Sequence, residues 1–427
     1  MIAHNPAGSQ IAGGVTPADY AFRKVAERRF VLDAELPYDG AFLPAARHEI
    51  DVKGPGASID FAERATGRRI LSVPAPATVA PPFSFSLILT GLGRIATYVR
   101  KDGRVTLDRT LACPDGFNPR LRVNLGNAVS NARVTLSAGI GQADVRFVTE
   151  GRSHAPYVED DRYYFTFSAR SFGSYLGVAS FTPEAFDVRF EGVILFDYGD
   201  GELRNDVAAD LFHDTATGEW RAFVSNFSTG GDALSGRAKG GINVAWCTTS
   251  PLHGFSVMSA KSLDLEGMNE DPDGYYDAEA GMWRLFVSEF TPGRIRAALL
   301  ESEHWDGTYR RIAGPVAEDS TGTTLVRCGG KTWAIFGSAD RACYVRTYPD
   351  LEPAGHLSFD HPPWPAGKSD NWAEGRVWPA FAETPGGAML LTMDRDNFPG
   401  MPKPNWTYGK LHFYRAGPVN RQSPIVT

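Results

Sequence analysis

Apolar and polar positions follow one recurring order over the last two-thirds of the chain. Each repeat opens on a polar or acidic residue, continues through a short apolar strand and a turn rich in Asp, Gly or Thr, and ends in an aromatic strand. The repeats open at His154, Asp206, Asp271, Ser320 and Glu374. A period of roughly 50 residues built from short strands is typical of β-propeller blades. The pattern therefore predicts a five-bladed β-propeller over residues 151–427.

Residues 1–150 do not share this repeat. Several short stretches alternate apolar and polar residues, and the Lys101–Gly103 segment carries a hairpin signal. Such alternation is typical of half-buried antiparallel strands. We therefore predict an all-β protein in which an N-terminal β-sandwich-like accessory domain, residues 1–150, precedes the propeller. Because no flexible linker appears near Gly151, we expect the two domains to pack closely.

Aromatic residues recur in the last strand of four repeats, at Tyr164, Trp220, Trp283 and Trp333. Large aromatic side chains at equivalent positions of a propeller most simply pack between adjacent blades. We therefore predict a structural role for them rather than sugar stacking.

Composition supports the all-β interpretation and narrows the classes of partner. The 427-residue chain has 45 glycines and 29 prolines, as expected for many turns. Its formal net charge of −7, with both signs interspersed, argues against a nucleic-acid partner. No stretch approaches the roughly 20 apolar residues of a membrane span, so no membrane partner is expected.

The remaining features of the composition bear on cofactors and location. The four cysteines are dispersed, so we expect core thiols and neither a metal nor another cofactor. The first residues lack a basic segment followed by an apolar run, which favours a cytoplasmic protein, or a periplasmic or secreted one if a signal was removed. The oligomeric state stays open.

Three repeat openings carry a carboxylate. The inner strands of a propeller surround one axis, so Asp206, Asp271 and Glu374 are predicted to meet in one pocket. Glycosidic bond cleavage needs a carboxylic acid at the leaving oxygen and a carboxylate on the other face of the sugar. A third acid would tune the pKa of the first. A single Asp at a strand start also caps turns, but three at repeat openings favour a site.

The motifs around these acids resemble those of the five-bladed propeller glycoside hydrolases. That superfamily includes arabinanases, β-xylosidases, α-L-arabinofuranosidases, invertases and levansucrases. The segment Asn205–Val207 is similar to the Asn-Asp-Pro motif of the invertase branch, with Val207 in place of Pro. Glu270–Pro272 is similar to its Arg-Asp-Pro motif, with Glu in place of Arg. Trp372–Gly375 is similar to the short motif that holds the family's acid.

The resemblance implies a role for each acid. Asp206 would be the nucleophile or base, Asp271 the transition-state stabiliser or pKa tuner, and Glu374 the general acid. A separation between Asp206 and Glu374 of about 5–5.5 Å would predict retention, and roughly 6.5–9.5 Å would predict inversion. The invertase likeness favours retention and the arabinanase likeness favours inversion, and the Asn-Asp and Asp-Pro dipeptides incline the prediction slightly toward retention.

Four further residues are candidates for substrate binding: His154, Arg376, Asp210 and Asp394. His154 could bind a sugar hydroxyl, or a water or cation in the central channel, and a structural histidine is an equal alternative. Arg376 could bind substrate or hold the acids in a salt bridge. Asp210 lies on the same strand face as Asp206, and Asp394 ends a strand near the expected pocket rim.

These residues lead to a glycoside hydrolase that cleaves a furanoside or pentose-type bond in an oligosaccharide or glycoside. The furanoside preference is implied by the resemblance alone. Three alternatives stay open: a non-catalytic carbohydrate-binding propeller, a transglycosylase and a glycoside phosphorylase. The sequence leaves undecided the sugar, the linkage, retention against inversion, and endo against exo cleavage.

Overall fold

A computed structural model describes most of the chain. The described residues are 14–28, 35–36, 46–63, 65–90, 94–112, 121–125, 128–138, 141–171, 173–184, 186–200, 203–227, 241–364, 376–394 and 409–418. Within these ranges the one helical element is the 3-10 turn Pro17–Asp19, and every other regular element is a strand. Within the described residues, no helix meets the length and hydrophobicity that a membrane span requires.

Two sheets of the N-terminal region pack around one core. The six-stranded sheet has the order Glu35–Leu36, Val129–Leu136, Ala46–Val52, Phe83–Thr90, Arg94–Lys101 and Arg104–Ala112. The three-stranded sheet has the order Arg69–Pro74, Ser58–Glu63 and Leu121–Leu125. Ile50 and Phe85 of the first sheet and Phe61 and Val73 of the second are fully or almost fully buried in this shared core. The arrangement is sandwich-like, because apolar side chains alternate toward the space between the sheets.

Five antiparallel four-stranded sheets form the rest of the molecule, and each is a blade listed from its inner strand outward. Blade I is Gln142–Phe147, Arg162–Ser171, Gly173–Phe181 and Arg189–Asp197. Blade II is Val207–Asp214, Glu219–Ser225, Ile242–Cys247 and Gly254–Ser262. Blade III is Asn269–Asp277, Met282–Thr291, Arg294–Ser302 and Arg310–Ala313. Blade IV is Thr321–Cys328, Lys331–Gly337, Cys343–Thr347 and Pro353–His356. Blade V is Ala380–Thr384, Gly387–Met393, Leu411–Ala416 and Ala21–Arg28.

Short strands extend three of these blades. Thr149–Glu150 pairs with the inner strand of blade II, Val158–Glu159 and Leu203–Arg204 extend blade I, and Ser358–Phe359 pairs with the outer strand of blade V. The outer strands of blades I and II also pair in parallel.

The blades close into a ring. Each inner strand contacts the inner strand of the next blade, and the inner strand of blade V contacts that of blade I. The ring is a five-bladed β-propeller, and the prediction of this fold is confirmed.

Two propeller strands come from the N-terminal region of the sequence. Gln142–Phe147 is the inner strand of blade I, and Ala21–Arg28 is the outer strand of blade V. A division at residue 150 therefore does not follow the sheets. His154 does not open blade I either, since it lies in the connection between the inner strand and Arg162–Ser171. The reason is that the inner strand of blade I precedes the first repeat that the sequence pattern reveals.

The recurring aromatic residues pack between blades, as predicted. Tyr164 and Trp220 share a buried core with Leu176 of blade I and Leu211 of blade II. The rings of Trp283 in blade III and Phe212 in blade II lie 5.7 Å apart. Trp333 of blade IV shares a core with residues of blade V. Burial of one such large side chain contributes about 1.5–3 kcal/mol, so these contacts are a main source of blade cohesion.

Candidate active site

A β-bulge interrupts the inner strand of blades I to IV at one equivalent position. The strand register shifts at this point in all four blades. The bulge residues have positive φ angles: Asp144 at 52°, Ala208 at 52°, Asp271 at 57° and Gly322 at 59°. Bulges re-aim side chains and are frequent beside active sites. We call these four residues the bulge positions.

Serine residues of the second strands support two of these bulges. The backbone N–H of Ala208 donates to Ser168 Oγ of blade I at 3.1 Å. The backbone N–H of Asp271 donates to Ser225 Oγ of blade II at 2.9 Å. In blades I and II a serine of the aromatic strand thus satisfies a main-chain N–H of the next blade.

The bulges show that Asp206 and Asp271 are not equivalent. Asp271 is a bulge residue, whereas Asp206 lies two residues before the bulge residue Ala208 and corresponds to Asn269 of blade III. Asp206 is fully buried, and its carboxylate accepts hydrogen bonds from the Tyr198 hydroxyl at 2.5 Å and from Asn243 Nδ2 at 3.1 Å. The expectation that both acids have the same phase is therefore wrong by two residues, because it matches the first acid of each repeat, whereas the strand register aligns Asp210 with Asp273.

Both the carboxylate and the carbonyl oxygen of Asp271 accept hydrogen bonds. Its carboxylate accepts hydrogen bonds from Thr321 Oγ1 at 2.9 Å and from the Gly322 N–H at 2.8 Å. Its carbonyl oxygen accepts from Arg146 Nη2 at 2.9 Å and from Thr323 Oγ1. A Cβ at Gly322 would come within 2.7 Å of the Trp378 ring, so only glycine fits this bulge position of blade IV.

Four acidic residues and one arginine gather around this bulge, and we call them the bulge cluster: Asp144, Glu270, Asp271, Asp319 and Arg376. Arg376 Nη1 donates to Glu270 Oε1 at 3.4 Å, and its Nη2 donates to Asp319 Oδ1 at 2.9 Å. Arg376 thus bridges two acids, one of them adjacent to Asp271 in the sequence, that the sequence motifs do not single out.

The carboxyl of Glu270 in the bulge cluster is strongly perturbed. Burial, followed by the charge of Asp271, raises the pKa of Glu270 well above its usual value. Arg376 opposes the shift, and Asp144 and Asp319 add to it. A buried carboxyl that favours its protonated form is the usual state of a general acid.

A second group has four members two residues beyond the bulge positions on the inner strands, together with His154 from a connection of blade I. We call it the floor cluster: Arg146, His154, Asp210, Asp273 and Thr324. Asp273 accepts hydrogen bonds from Arg146 Nη1 at 3.2 Å and from Thr324 Oγ1 at 2.7 Å, and it pairs with His154 Nε2 at 3.1 Å. Asp210 accepts from the Gly274 N–H at 2.8 Å.

The two acids of the floor cluster have pKa values that shift in opposite directions. Burial and the charge of Asp273 raise the pKa of Asp210 to about 7. Burial would also raise the pKa of Asp273, but the charge and hydrogen bond of His154 outweigh it and lower that pKa. Burial would lower the pKa of His154, but Asp273 outweighs it and raises that pKa. His154 and Asp210 are therefore placed together, but with Asp273 rather than with Arg376.

Two cavities open beyond the floor cluster. One of about 210 Å³ is lined in part by Arg146, His154, Asp273 and Thr324. Another, of about 540 Å³, lies against the turns of blades III and IV and is lined in part by Tyr275, Trp333 and Arg327. Ligand pockets usually measure about 300–1,000 Å³, so the cavity at the floor cluster is small for an oligosaccharide.

The other two predicted residues are placed differently. Asp394 is buried and pairs with His412 Nε2 at 2.7 Å, and it accepts from the Lys410 N–H at 3.0 Å, both within blade V. Glu374 lies outside the described residues, so its predicted separation from Asp206 stays a prediction. In the described part of the chain, no group of three or more His, Cys, Asp or Glu side chains could hold a metal ion.

The repeat pattern does not point to Asp144, since its strand precedes the first recognisable repeat. A usable signal is nevertheless present. The segment Gln142–Arg146 places Asp144 two residues before a charged residue, as Asn269–Asp273 does with Asp271. Glu270 stands out in the sequence only as a departure from a motif, and Asp319 has no local signal because it is brought in by blade packing.

Comparison with known proteins gives distant structural likenesses only. Neither a scan against protein-family models nor a search of curated proteins finds a match. The chain is similar to the solved structure of a family 117 glycoside hydrolase from the marine bacterium Zobellia galactanivorans, with 10% identity, 66% of this chain and 87% of that chain covered, and a TM-score of 0.44.

Two further likenesses are of the same order. The catalytic domain of a GH62 α-L-arabinofuranosidase from Coprinopsis cinerea is 12% identical, with 65% of this chain and 91% of that chain covered and a TM-score of 0.41. The GH43_1 enzyme from Xanthomonas citri in complex with xylose is 12% identical, with 65% and 87% covered and a TM-score of 0.44. All three solved structures have low identity and a low TM-score against this chain. At such identities and TM-scores they carry no weight for activity, and the function proposed below rests on the chain's own residues.

Proposed function

We propose that this protein is a glycoside hydrolase that cleaves a furanoside or pentose-type bond at the bulge cluster. The observation that carries the proposal is Glu270, a buried carboxyl with a strongly raised pKa that lies among acidic residues of two other blades. Glycosidic cleavage needs such a proton donor together with a carboxylate on the other face of the sugar.

Each residue of the cluster has a proposed role. Glu270 is the general acid, because burial and the charge of Asp271 raise its pKa and favour the protonated form. Asp144 is the nucleophile or base, since it belongs to blade I and can face the sugar from a different direction than Glu270 of blade III. Asp271 raises the pKa of Glu270, which fits the tuning role that the family resemblance implies. Arg376 orients Glu270 and Asp319.

The family resemblance implies another assignment within the same activity. In that assignment Asp206 is the nucleophile or base and Glu374 is the general acid. We prefer Asp144 because it occupies a bulge position and its charge acts on Glu270, whereas Asp206 lies two residues before the bulge of blade II. The furanoside or pentose preference rests on the resemblance of the motifs to those of arabinanases, xylosidases and invertases.

A substrate screen with two matched variants tests the proposal. The full chain is assayed on 4-nitrophenyl α-L-arabinofuranoside, β-D-xylopyranoside and hexopyranosides, and free sugar from oligosaccharides is measured. We expect turnover of a furanoside or pentoside, a roughly 10³-fold loss of kcat in Asp144→Asn, and a loss below about tenfold in Asp206→Asn, which alters an equally buried aspartate.

Other outcomes overturn parts of the proposal. The reverse order of the two losses transfers the base role to Asp206. Saturable binding of these sugars without any turnover makes the protein a carbohydrate-binding propeller and removes the enzymatic assignment.

A further inference from the structure

Arg146 connects the two clusters. Its side chain is 3% exposed and projects from the inner strand of blade I. Nη2 donates to the carbonyl oxygen of Asp271 at 2.9 Å, and Nη1 donates to that of Thr323 at 2.6 Å and to Asp273 Oδ2 at 3.2 Å. The guanidinium carbon lies 5.0 Å from the centroid of the Trp378 ring, just before the inner strand of blade V. One arginine of blade I therefore contacts blades III and IV and the start of blade V.

The Asp271 carbonyl needs such a partner. The register between the inner and second strands of blade III jumps from Glu270 opposite Ser288 to Asp273 opposite Phe286. A bulge leaves its extra residue outside the ladder, and a buried carbonyl without a donor is costly. Arg146 and Thr323 supply the two donors, so they fix the backbone of a residue at φ 57°.

We infer that Arg146 is a positioning residue for the bulge cluster: by holding the main chain at Asp271 it sets the direction of the Asp271 and Glu270 carboxyls. The inference rests on the proposed function. Arg146 does not touch the carboxylates of the bulge cluster in any described hydrogen bond, so it acts through the backbone. A displacement of about 1 Å in a catalytic group can cost 10²-fold in rate, which is why a backbone contact can control activity.

Asp273 of the floor cluster holds the Arg146 guanidinium in place. Asp273 pairs with Arg146 and is itself held by Thr324 and His154. The planar guanidinium makes three directed contacts at once, which the point charge of a lysine cannot reproduce. The inference therefore predicts that charge alone is insufficient at position 146.

A matched pair of arginine variants tests the inference. Arg162 is also buried, it also donates to two carbonyl oxygens, of Ser180 and Asp187, and it pairs with the carboxylates of Asp187 and, at 4.0 Å, Glu191. It lies within blade I away from the bulge cluster. We expect Arg146→Met to lower kcat by about 10- to 100-fold with KM changed less than about threefold. Arg146→Lys should recover only part of that loss, and Arg162→Met should keep the wild-type kcat at a temperature where each variant is folded.

A double-mutant cycle separates positioning from general stability. Thr323→Val removes the other donor to the Asp271 carbonyl. If both residues act through this carbonyl, their effects on kcat are not additive, whereas independent structural effects add. Equal losses of kcat in Arg146→Met and Arg162→Met, or additive losses in the cycle, overturn the inference.

Hydrogen exchange gives a readout that needs no substrate. The Asp271 and Gly322 amides are hydrogen-bonded at the bulge, so peptides that cover 269–277 and 321–328 should exchange faster in Arg146→Met and not in Arg162→Met. Unchanged exchange in Arg146→Met overturns the inference.

If Asp144→Asn and Glu270→Gln keep full activity, the proposed function fails at this site. If those variants are inactive while Arg146→Met keeps its kcat, only the role of Arg146 fails.

Discussion

The bulge cluster and the floor cluster are built on the same inner strands but balance their charges differently. The bulge cluster has four acidic residues for the single cation Arg376, and the pKa of Glu270 rises well above its usual value. The floor cluster has two acidic residues, Asp210 and Asp273, beside Arg146 and His154. In the bulge cluster the excess of carboxyls raises the pKa of Glu270 and favours its protonated form. In the floor cluster His154 and Arg146 stabilise the ionised carboxylate of Asp273.

The comparison also shows why perturbed pKa values alone do not identify the site. Asp210 in the floor cluster has a raised pKa as well, at about 7. The assignment to the bulge cluster therefore rests on the convergence of acids from separate blades and on the bulges that aim two of them. Four substitutions test this distinction.

The largest effect is expected for Glu270→Gln. Removing a general acid costs about 10²–10⁴-fold, and the loss should appear with poor leaving groups and largely disappear with activated nitrophenyl leaving groups. Because the pKa of Glu270 is raised, wild-type kcat should fall on the alkaline side as this proton is lost, and the variant should lack that fall. Equal losses on both substrate types would remove Glu270 from the acid role and favour Glu374.

Asp271→Asn should have the next largest effect. The amide keeps the shape of the side chain but removes the charge beside Glu270, so we expect kcat to fall about 10²–10³-fold. The alkaline limb of the pH profile should also move to lower pH, since the Asp271 charge raises the pKa of Glu270. A pH profile that keeps its wild-type alkaline limb would contradict this electrostatic coupling.

Asp210→Asn should change stability rather than chemistry. The pKa of Asp210 rises from 3.8 to about 7 on folding, so its contribution to stability is complete below about pH 4 and is lost as pH rises toward 7. The variant lacks this dependence, and its melting temperature should fall less between pH 5 and pH 8 than that of the wild type, by at least about 2 °C. Circular dichroism melts at both pH values measure it, with kcat expected within about threefold. A loss of kcat comparable to that of Glu270→Gln would move the site to the floor cluster.

Thr324→Val should have the smallest effect. It removes one neutral donor to Asp273, which still has Arg146 and His154 as partners. The expected cost is about 1 kcal/mol of unfolding free energy with unchanged kcat. Urea unfolding monitored by tryptophan fluorescence gives this free energy, and a change in kcat would show that the floor cluster takes part in the chemistry.

Local sequence patterns account for the blades. The alternation of strands, turns and aromatic residues predicts five blades and the packing of Tyr164, Trp220, Trp283 and Trp333, because each depends on neighbours a few residues away or on a repeated position. Asp271 and Arg376 were also within reach of the sequence, since each lies in or beside a recognisable motif at a strand opening.

Tertiary structure decided the rest. The inner strand of blade I and the outer strand of blade V lie before the recognisable repeats, and only ring closure shows that Gln142–Phe147 and Ala21–Arg28 belong to the propeller. Asp271 and Asp144 occupy bulge positions whereas Asp206 lies two residues before one, and this difference is visible only from the strand register of each blade. The raised pKa of Glu270 depends on charges that packing brings close to it. The bridging by Arg146 depends on carbonyl oxygens of two other blades. Sequence thus determined the repeated unit, whereas the depth and charge of each buried group were set by how the units meet at the axis.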